Sequence, residues 1–289
     1  MSEDDSRDKL QMDKYVVAYL DLLGSTSKII SEKSDNYLND IRKIYENTYT
    51  LFKKEFPESL ANHSPSGDFA PSDYFMSEGV QIKIFSDNIL FALRISDRKY
   101  DAIKATMQLI VFISMYQSYL LLEGKWLLRG GLTAGRLHID ETFVWGPALV
   151  RAHILEEMAV VPRVLVDEFL IKIFPYLNPE TSTGKIQILR KMDEIPQCFI
   201  DYECMFAKQN IKSGNKRGWL LRFKEELPGL RDEFLTKYDI LDDIGCAIRC
   251  HNTIPDEADI PSGLRKIQWA INYHNLVCDE LNELDLKIS

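Results

Sequence analysis

Residues 15–23 read YVVAYLDLL, an apolar run rich in β-branched and aromatic side chains that carries one carboxylate, Asp21, near its end. The run has strand composition and no helical spacing, so it predicts a buried strand. A chain holding such a strand must build a sheet able to cover it. With 289 residues, 45% of them apolar, the chain has enough material for one large domain or two small ones. An unpaired carboxylate inside that strand would cost several kcal/mol, so Asp21 needs a partner or sits at the strand's end.

The elements that follow define the sheet. Gly24-Ser25-Thr26 closes the first strand, and Leu38, Ile41, Tyr45 and Phe52 then recur at helical spacing. Residues 62–73 carry turn formers without periodicity and read as a loop. GVQIKIF and ILFALRI are separated only by Ser86-Asp87-Asn88, the pattern of a β-hairpin. A long helix is expected over roughly 98–122, then a strand in WLLRGGLTAGRLHI, and a short strand from Thr142 to Trp145. Pro147 suits the first position of a helix reaching about Met158, and Arg163–Val166 is a further strand. This order favours an α+β fold, an antiparallel-rich sheet with helices packed on one face, over a strictly alternating parallel sheet.

Beyond residue 170 the signals thin. KIQIL and CFIDY read as strands, Glu225–Asp239 as a helix, and Ser262–Leu284 as a terminal helix with Trp269, Tyr273 and Leu276 on one side. The expected organisation is an acidic disordered tail over 1–12, a domain over 13–170, and a mixed, mostly helical C-terminal extension over 171–289.

Several function classes are disfavoured. A net charge of −9 opposes non-specific binding to nucleic acid or an anionic membrane, which want basic surfaces. The most apolar stretch, Met107–Leu122, is 16 residues long and interrupted by Gln108, Ser114, Gln117 and Ser118; a membrane span needs about 20 clean positions, so this is a buried helix. The N-terminal MSEDDSRDKL is acidic, the opposite of a signal peptide, which points to the cytoplasm. Cys198, Cys204, Cys246, Cys250 and Cys278 form no CxxC pair and read as reduced, half-buried thiols. The five histidines make no HxxxH or HExxH pattern, GLTAG lacks the serine of a nucleophile elbow, and no GxxxxGK[ST] loop is present.

The chemistry concentrates on two carboxylates. Asp21 alone reads as a strand-end cap on the Gly24 turn, and Asp87 alone as ordinary turn chemistry. If their strands are neighbours, the two acids converge at one edge of the sheet, and like charges that close need a cation between them. All-oxygen ligands suit Mg²⁺ or Mn²⁺, and two ions about 4 Å apart would clamp the attacking and leaving oxygens of a phosphoryl displacement.

YLDLLGST, KIFSDNILF, LLRGGLTAGRLH and VWGPALVRAHILEE resemble, in order and spacing, the catalytic domain of class III nucleotidyl cyclases over roughly residues 14–167. The resemblance implies two Mn²⁺ or Mg²⁺ ions held by Asp21, the carbonyl of Leu22, and Asp87. It also implies a nucleotide met by the Gly24-Ser25-Thr26 turn, and a glycine-rich RGGLTAG segment whose backbone runs close beneath that nucleotide. FSDN, RGGLTAG, GPALVRAHILE and the late RKIQWAINYHN look closer still to the bacterial antiphage pyrimidine cyclases of the Pycsar system.

Departures from the purine cyclases agree with that. The lysine that reads adenine is kept as Lys83, but the aspartate that works with it is replaced by Phe143, which can stack on a base and cannot accept adenine's amino hydrogens. A core phenylalanine is the alternative for Phe143. The family's asparagine and transition-state arginine positions are Val150 and Ile154 here, so Arg151 or Arg129 would supply the guanidinium.

By resemblance, then, the chain is a homodimeric cyclase with shared sites, metals on one protomer and Lys83, Phe143 and Arg151 from the other. It would convert UTP, or alternatively CTP, to a cyclic nucleotide read by a separate effector protein in antiphage defence, with no nucleic-acid or membrane partner. The rival from another class is a catalytically degenerate nucleotide sensor.

Overall fold

The computed structural model describes residues 12–23, 34–50, 80–95, 99–179, 188–192, 197–203, 216–237 and 262–289. The predicted tail over 1–12, except Met12, the Gly24-Ser25-Thr26 turn, Phe52, the 62–73 loop and Cys204, Cys246 and Cys250 lie outside them.

The strands are β1 (Asp13–Leu23), β2 (Val80–Phe85), β3 (Asn88–Arg94), β4 (Leu127–Ile139), β5 (Val144–Trp145), β6 (Val164–Val166), β7 (Leu189–Arg190) and β8 (Cys198–Ile200). The helices are α1 (Ser34–Thr50), α2 (Lys99–Gly124), α3 (Pro147–Ala159), α4 (Glu168–Ile173), α5 (Lys216–Lys237) and α6 (Ser262–Glu280). The sheet runs β2-β3-β1-β4-β6-β8-β7, with β5 folded back on β4. Every pairing is antiparallel except β4–β6. That parallel step needs a crossover, and α3 is that crossover. An antiparallel-rich sheet carrying helices is thus the architecture, as the element order predicts.

One expectation fails: helices cover both faces. Val16, Ala18, Leu20 and Leu22 join Ile89, Phe91 and Leu93 against Leu109, Ile113, Tyr116 and Leu120 of α2. Tyr15 and Val17 join Leu90, Ala92 and Leu137 against Ala148 and Ala152 of α3 on the opposite side. Val16 and Val17 are both fully buried although they point to opposite faces. A strand apolar on both sides must be covered on both.

The face that α1 presents also differs from the predicted stripe. Leu38 is 67% exposed, whereas Ile44 and Thr48 point inward and the Thr48 hydroxyl lies 2.7 Å from that of Tyr116. Over Ala105–Gly124, α2 is long and apolar enough to cross a membrane, and 83% of that stretch is buried within the fold.

Past residue 170 the chain extends the same sheet, because β8 pairs with β6 and β7 with β8. Of the predicted strands KIQIL and CFIDY, the described parts in β conformation are Leu189–Arg190 and Cys198–Ile200. Helix α5 starts at Lys216, well before the expected Glu225, because Leu220, Phe223 and Leu227 bury one face against α6. Helix α6 ends at Glu280, and a 3₁₀ turn at Leu284–Leu286 follows. Cys198 and Cys278 are buried and in no disulfide.

Buried charge ties this region together. Arg190 pairs with Asp201 and, bidentately, with Glu280. His274, fully buried, hydrogen bonds to Glu203 at 2.9 Å and to the Leu286 carbonyl at 3.1 Å. Burial alone would push that imidazole down, but the adjacent Glu203 carboxylate overrides it and raises the pKa to about 10.

Candidate active site

The sheet register sets the site. Asp21, Arg129 and Asn88 sit side by side across three strands, because β1 pairs with β3 and β4 at that row. One row back on the same face stand Tyr19, Leu90, Gly131 and, on the edge strand, Lys83. The hairpin closes through a two-residue turn, Ser86–Asp87, with Ser86 at φ 59°. The Asp87 carbonyl accepts from the Leu22 amide at 3.1 Å, which fixes the turn against the end of β1. The structure thus brings Asp21, Leu22, Asp87 and Arg129 to one end of the sheet.

Helix α3 closes the site from above. Its apolar face is Ala148, Ala152, Leu155 and Ala159, and Glu156 shares that face. A Cβ at Gly131 would collide with Ala152 O and Leu155 Cβ, and one at Gly135 would lie 3.3 Å from Ala148 Cβ. Gly131 and Gly135 therefore admit α3 to the sheet, whereas a Cβ at Gly130 would meet the Leu20 side chain and the Tyr19 carbonyl of β1. Gly146, the N-cap of α3 at φ 150° and ψ 167°, occupies a backbone region that only glycine adopts readily.

Under α3, one guanidinium lies between two carboxylates. Arg129 Nε donates to Asp21 Oδ2 at 2.9 Å, and Glu156 Oε1 lies 2.7 Å from the same nitrogen. The single Nε hydrogen is directed at Asp21, so Glu156 Oε1, though buried, accepts no hydrogen bond. Glu156 Oε2 contacts His153 Nδ1 at 3.2 Å, and the His153 ring packs edge-on against Tyr19.

The electrostatics are strained toward cations. Burial pushes Asp21 above the ordinary carboxylate range, Arg129 pulls it back, and Asp87 pushes it up again. Burial also raises Glu156, against the pull of Arg129. Tyr19 is raised by burial and then by Glu156, Asp21 and Asp87. Lys266 of α6 faces the same group; burial and the Arg129 charge lower it, while Asp21 and Glu156 act in the opposite sense.

Other predicted residues gather elsewhere. Lys83 Nζ donates to the Glu141 carbonyl at 3.1 Å, beside the turn that presents Phe143. Asp140 caps that turn through the Thr142 and Phe143 amides, and these bonds with His138 hold its carboxyl down at about 2. Phe143 is 41% exposed, with its ring 4.9 Å from that of His138, so it is no core phenylalanine. The expected strand at Thr142–Trp145 is only Val144–Trp145 because Asp140 draws residues 142 and 143 into the turn.

Arg151 joins neither group within one chain. It forms a bidentate pair with Asp167 at 2.9 and 3.1 Å, and Asp167 also accepts from Thr133 and from the Phe169 amide at the start of α4. Thr133 lies four residues along β4 from Arg129, about 13 Å in an extended strand.

Sequence reading missed Glu156, Tyr19 and Lys266. Glu156 had a signal: it lies four residues after Ala152 and three before Ala159, on the apolar stripe of α3. Lys266 had none, since its place depends on the packing of α6.

The oxygen-only donor set fits hard divalent cations, which accept one or two carboxylates plus phosphate oxygens. The orphaned, buried Glu156 oxygen and the upward-shifted Asp21 both mark a place where positive charge would be stabilised. Among the described residues, no group of three or more His, Cys, Asp and Glu side chains is arranged to hold a metal without further ligands.

No family model and no curated protein matches the chain. Among solved structures, it is similar to the monomeric guanylyl cyclase domain of the RhoGC fusion protein from the aquatic fungus Blastocladiella emersonii, at 13% identity and TM-score 0.41, covering 65% of this chain and 94% of that one. It is also similar to the adenylyl cyclase CyaB from P. aeruginosa, at 12% identity and TM-score 0.37, covering 66% and 94%. A third is an adenylate/guanylate cyclase/hydrolase from Silicibacter pomeroyi, at 14% identity and TM-score 0.34, covering 66% and 95%. At these scores the likeness is one of outline and carries no functional argument.

Proposed function

We propose that the protein is a nucleotidyl cyclase that converts UTP to 3′,5′-cyclic UMP and pyrophosphate. The observation that carries the reading is the convergence of Asp21 and Asp87 at one sheet end, where burial and the neighbouring Asp87 already disfavour the bare negative charge of Asp21. Asp21, Asp87 and the Leu22 carbonyl would hold two Mn²⁺ or Mg²⁺ ions. When bound, such ions lower the pKa of the ribose 3′-hydroxyl and neutralise the departing pyrophosphate. In the reaction the 3′-oxygen forms a bond to the α-phosphorus, the bond from that phosphorus to the β-phosphate oxygen breaks, and the hydroxyl proton passes to solvent. Arg129 balances Asp21 and Glu156 and keeps both carboxylates oriented.

Lys83 and Phe143 form the base-reading pair, a role supported by their approach at the Asp140 turn. The exposed Phe143 ring offers a stacking face. The Lys83 ammonium donates to uracil O2 or O4, whereas cytosine presents an amino group at the O4 position. In this reading residues 13–170 form the catalytic domain, residues 171–289 an extension, and two protomers share their sites, with Arg151 serving the partner. The wording of FSDN, RGGLTAG and GPALVRAHILE supports a cytoplasmic antiphage role in which a separate effector reads the cyclic product.

One observation favours a second reading, a nucleotide sensor without turnover: the Arg151 guanidinium is already engaged by Asp167. Incubation with each of the four triphosphates and Mn²⁺ decides between them. Cyclic UMP and pyrophosphate as the main products support the proposal, and a preference for CTP replaces the substrate. Nucleotide binding without any cyclic product supports the sensor.

A further inference from the structure

Arg129 presents a difficulty for any cation at Asp21, because its Nε–H already donates to that carboxylate. A cation that takes Asp21 Oδ2 competes for this hydrogen bond and would leave the guanidinium, only 25% exposed, without that acceptor. Stranding a half-buried charge in this way opposes binding. Yet the same nitrogen lies 2.7 Å from Glu156 Oε1, a carboxylate oxygen on a residue that is 2% exposed and that accepts no hydrogen bond. An acceptor already within bonding distance needs only a small reorientation of the donor.

We propose that Glu156 is a positioning residue that receives Arg129 when a divalent cation binds Asp21, so that Glu156 sets the affinity of the cation site without ligating the ion. This rests on the reading of Asp21 and Asp87 as the cation site. Helix α3 supplies Glu156 because Ala148, Ala152, Leu155 and Ala159 seat that face on the sheet, leaving the glutamate no route to solvent. Its second oxygen is held by His153, so the first stays aimed at Arg129. The other charges facing this group are Asp87 and Lys266, and neither has an ion pair to Glu156 at bonding distance.

The test is Mn²⁺ binding to the full chain, measured by calorimetry or by loss of the free-ion paramagnetic signal, without nucleotide and without turnover. Glu156→Gln keeps the shape and removes the anionic acceptor, and it should weaken Mn²⁺ binding about tenfold or more, the worth of one charge-assisted hydrogen bond. In an Arg129→Met background, where no guanidinium needs a new partner, Glu156→Gln should change affinity by less than about threefold. Equal losses in both backgrounds would mean direct ligation or a plain field effect and would overturn the proposal. So would unchanged Mn²⁺ affinity in Glu156→Gln alone. A wild-type chain that binds no Mn²⁺ removes the cation site itself, whereas a wild type that binds it while Glu156→Gln binds equally removes only the role of Glu156.

Discussion

Gly131→Ala isolates the contact that seats α3 over the site. The added Cβ would meet Ala152 O, Leu155 Cβ and, at 3.0 Å, the Glu156 amide nitrogen. Two of these are backbone atoms and cannot rotate away, so the helix itself has to lift. Restoring ordinary contact distances of about 3.5 Å takes a displacement of about 1 Å. Overpacking of this kind costs about 1–3 kcal/mol, and the backbone collision puts this case at the upper end. At about 2–4 °C per kcal/mol for a domain of this size, the melting temperature should fall by about 6–12 °C. The same lift carries Glu156 away from Arg129. Gly135→Ala is the matched control: its nearest contact is the Ala148 Cβ at 3.3 Å, which can yield by a few tenths of an ångström. Thermal denaturation followed by circular dichroism compares the two. A Gly131→Ala protein melting within about 2 °C of wild type, or a Gly135→Ala protein losing as much, would refute the close α3–β4 packing.

Two further outcomes follow from named side chains. If Arg151 stabilises charge on the α-phosphate, Arg151→Ala should lower kcat by about 10²-fold with a smaller change in KM; that signature in Arg129→Ala, with a silent Arg151→Ala, moves the role to Arg129. His274 is held charged in the fold with a pKa of about 10, above the ordinary 6.5. Its stabilising contribution is therefore complete below about pH 6.5 and is lost as pH rises through about 10, by up to about 1.4 kcal/mol per pH unit. Unfolding free energy measured from pH 6.5 to 10 should show that decline, and His274→Gln should flatten it; an equal slope in the variant contradicts the buried ion pair.

Much of the site was legible because its signals are local. The carboxylate in YVVAYLDLL and the Ser86–Asp87 break each lie within a few residues of the turn or strand end that positions them. The near-continuous apolarity of Val16, Val17, Ala18 and Leu20 marks a buried strand, but the element order pointed to helices on one face, and the cover on the second face comes from α3. What was not legible depends on packing between distant segments. The glycine-rich RGGLTAG segment announces a close approach, but not that Gly131 meets α3, and Lys266 reaches the site only through the seat of α6. On α1, Leu38 and Tyr45 share the helical period with Ile41, but the buried face is the neighbouring one with Ile44 and Thr48, where Thr48 meets Tyr116 of α2. Periodicity gives the existence of a helix, and the partner surface decides which stripe is buried.

The most direct test of the two-carboxylate site is product formation from UTP at saturating Mn²⁺ by wild type, Asp21→Ala and Asp87→Ala, with cyclic nucleotide and pyrophosphate quantified together. Each substitution removes a carboxylate at the sheet end and leaves both apolar faces intact. Wild type should give stoichiometric cyclic UMP and pyrophosphate, and neither variant should give cyclic product although both remain folded. Substantial cyclic product from Asp21→Ala or Asp87→Ala would contradict it.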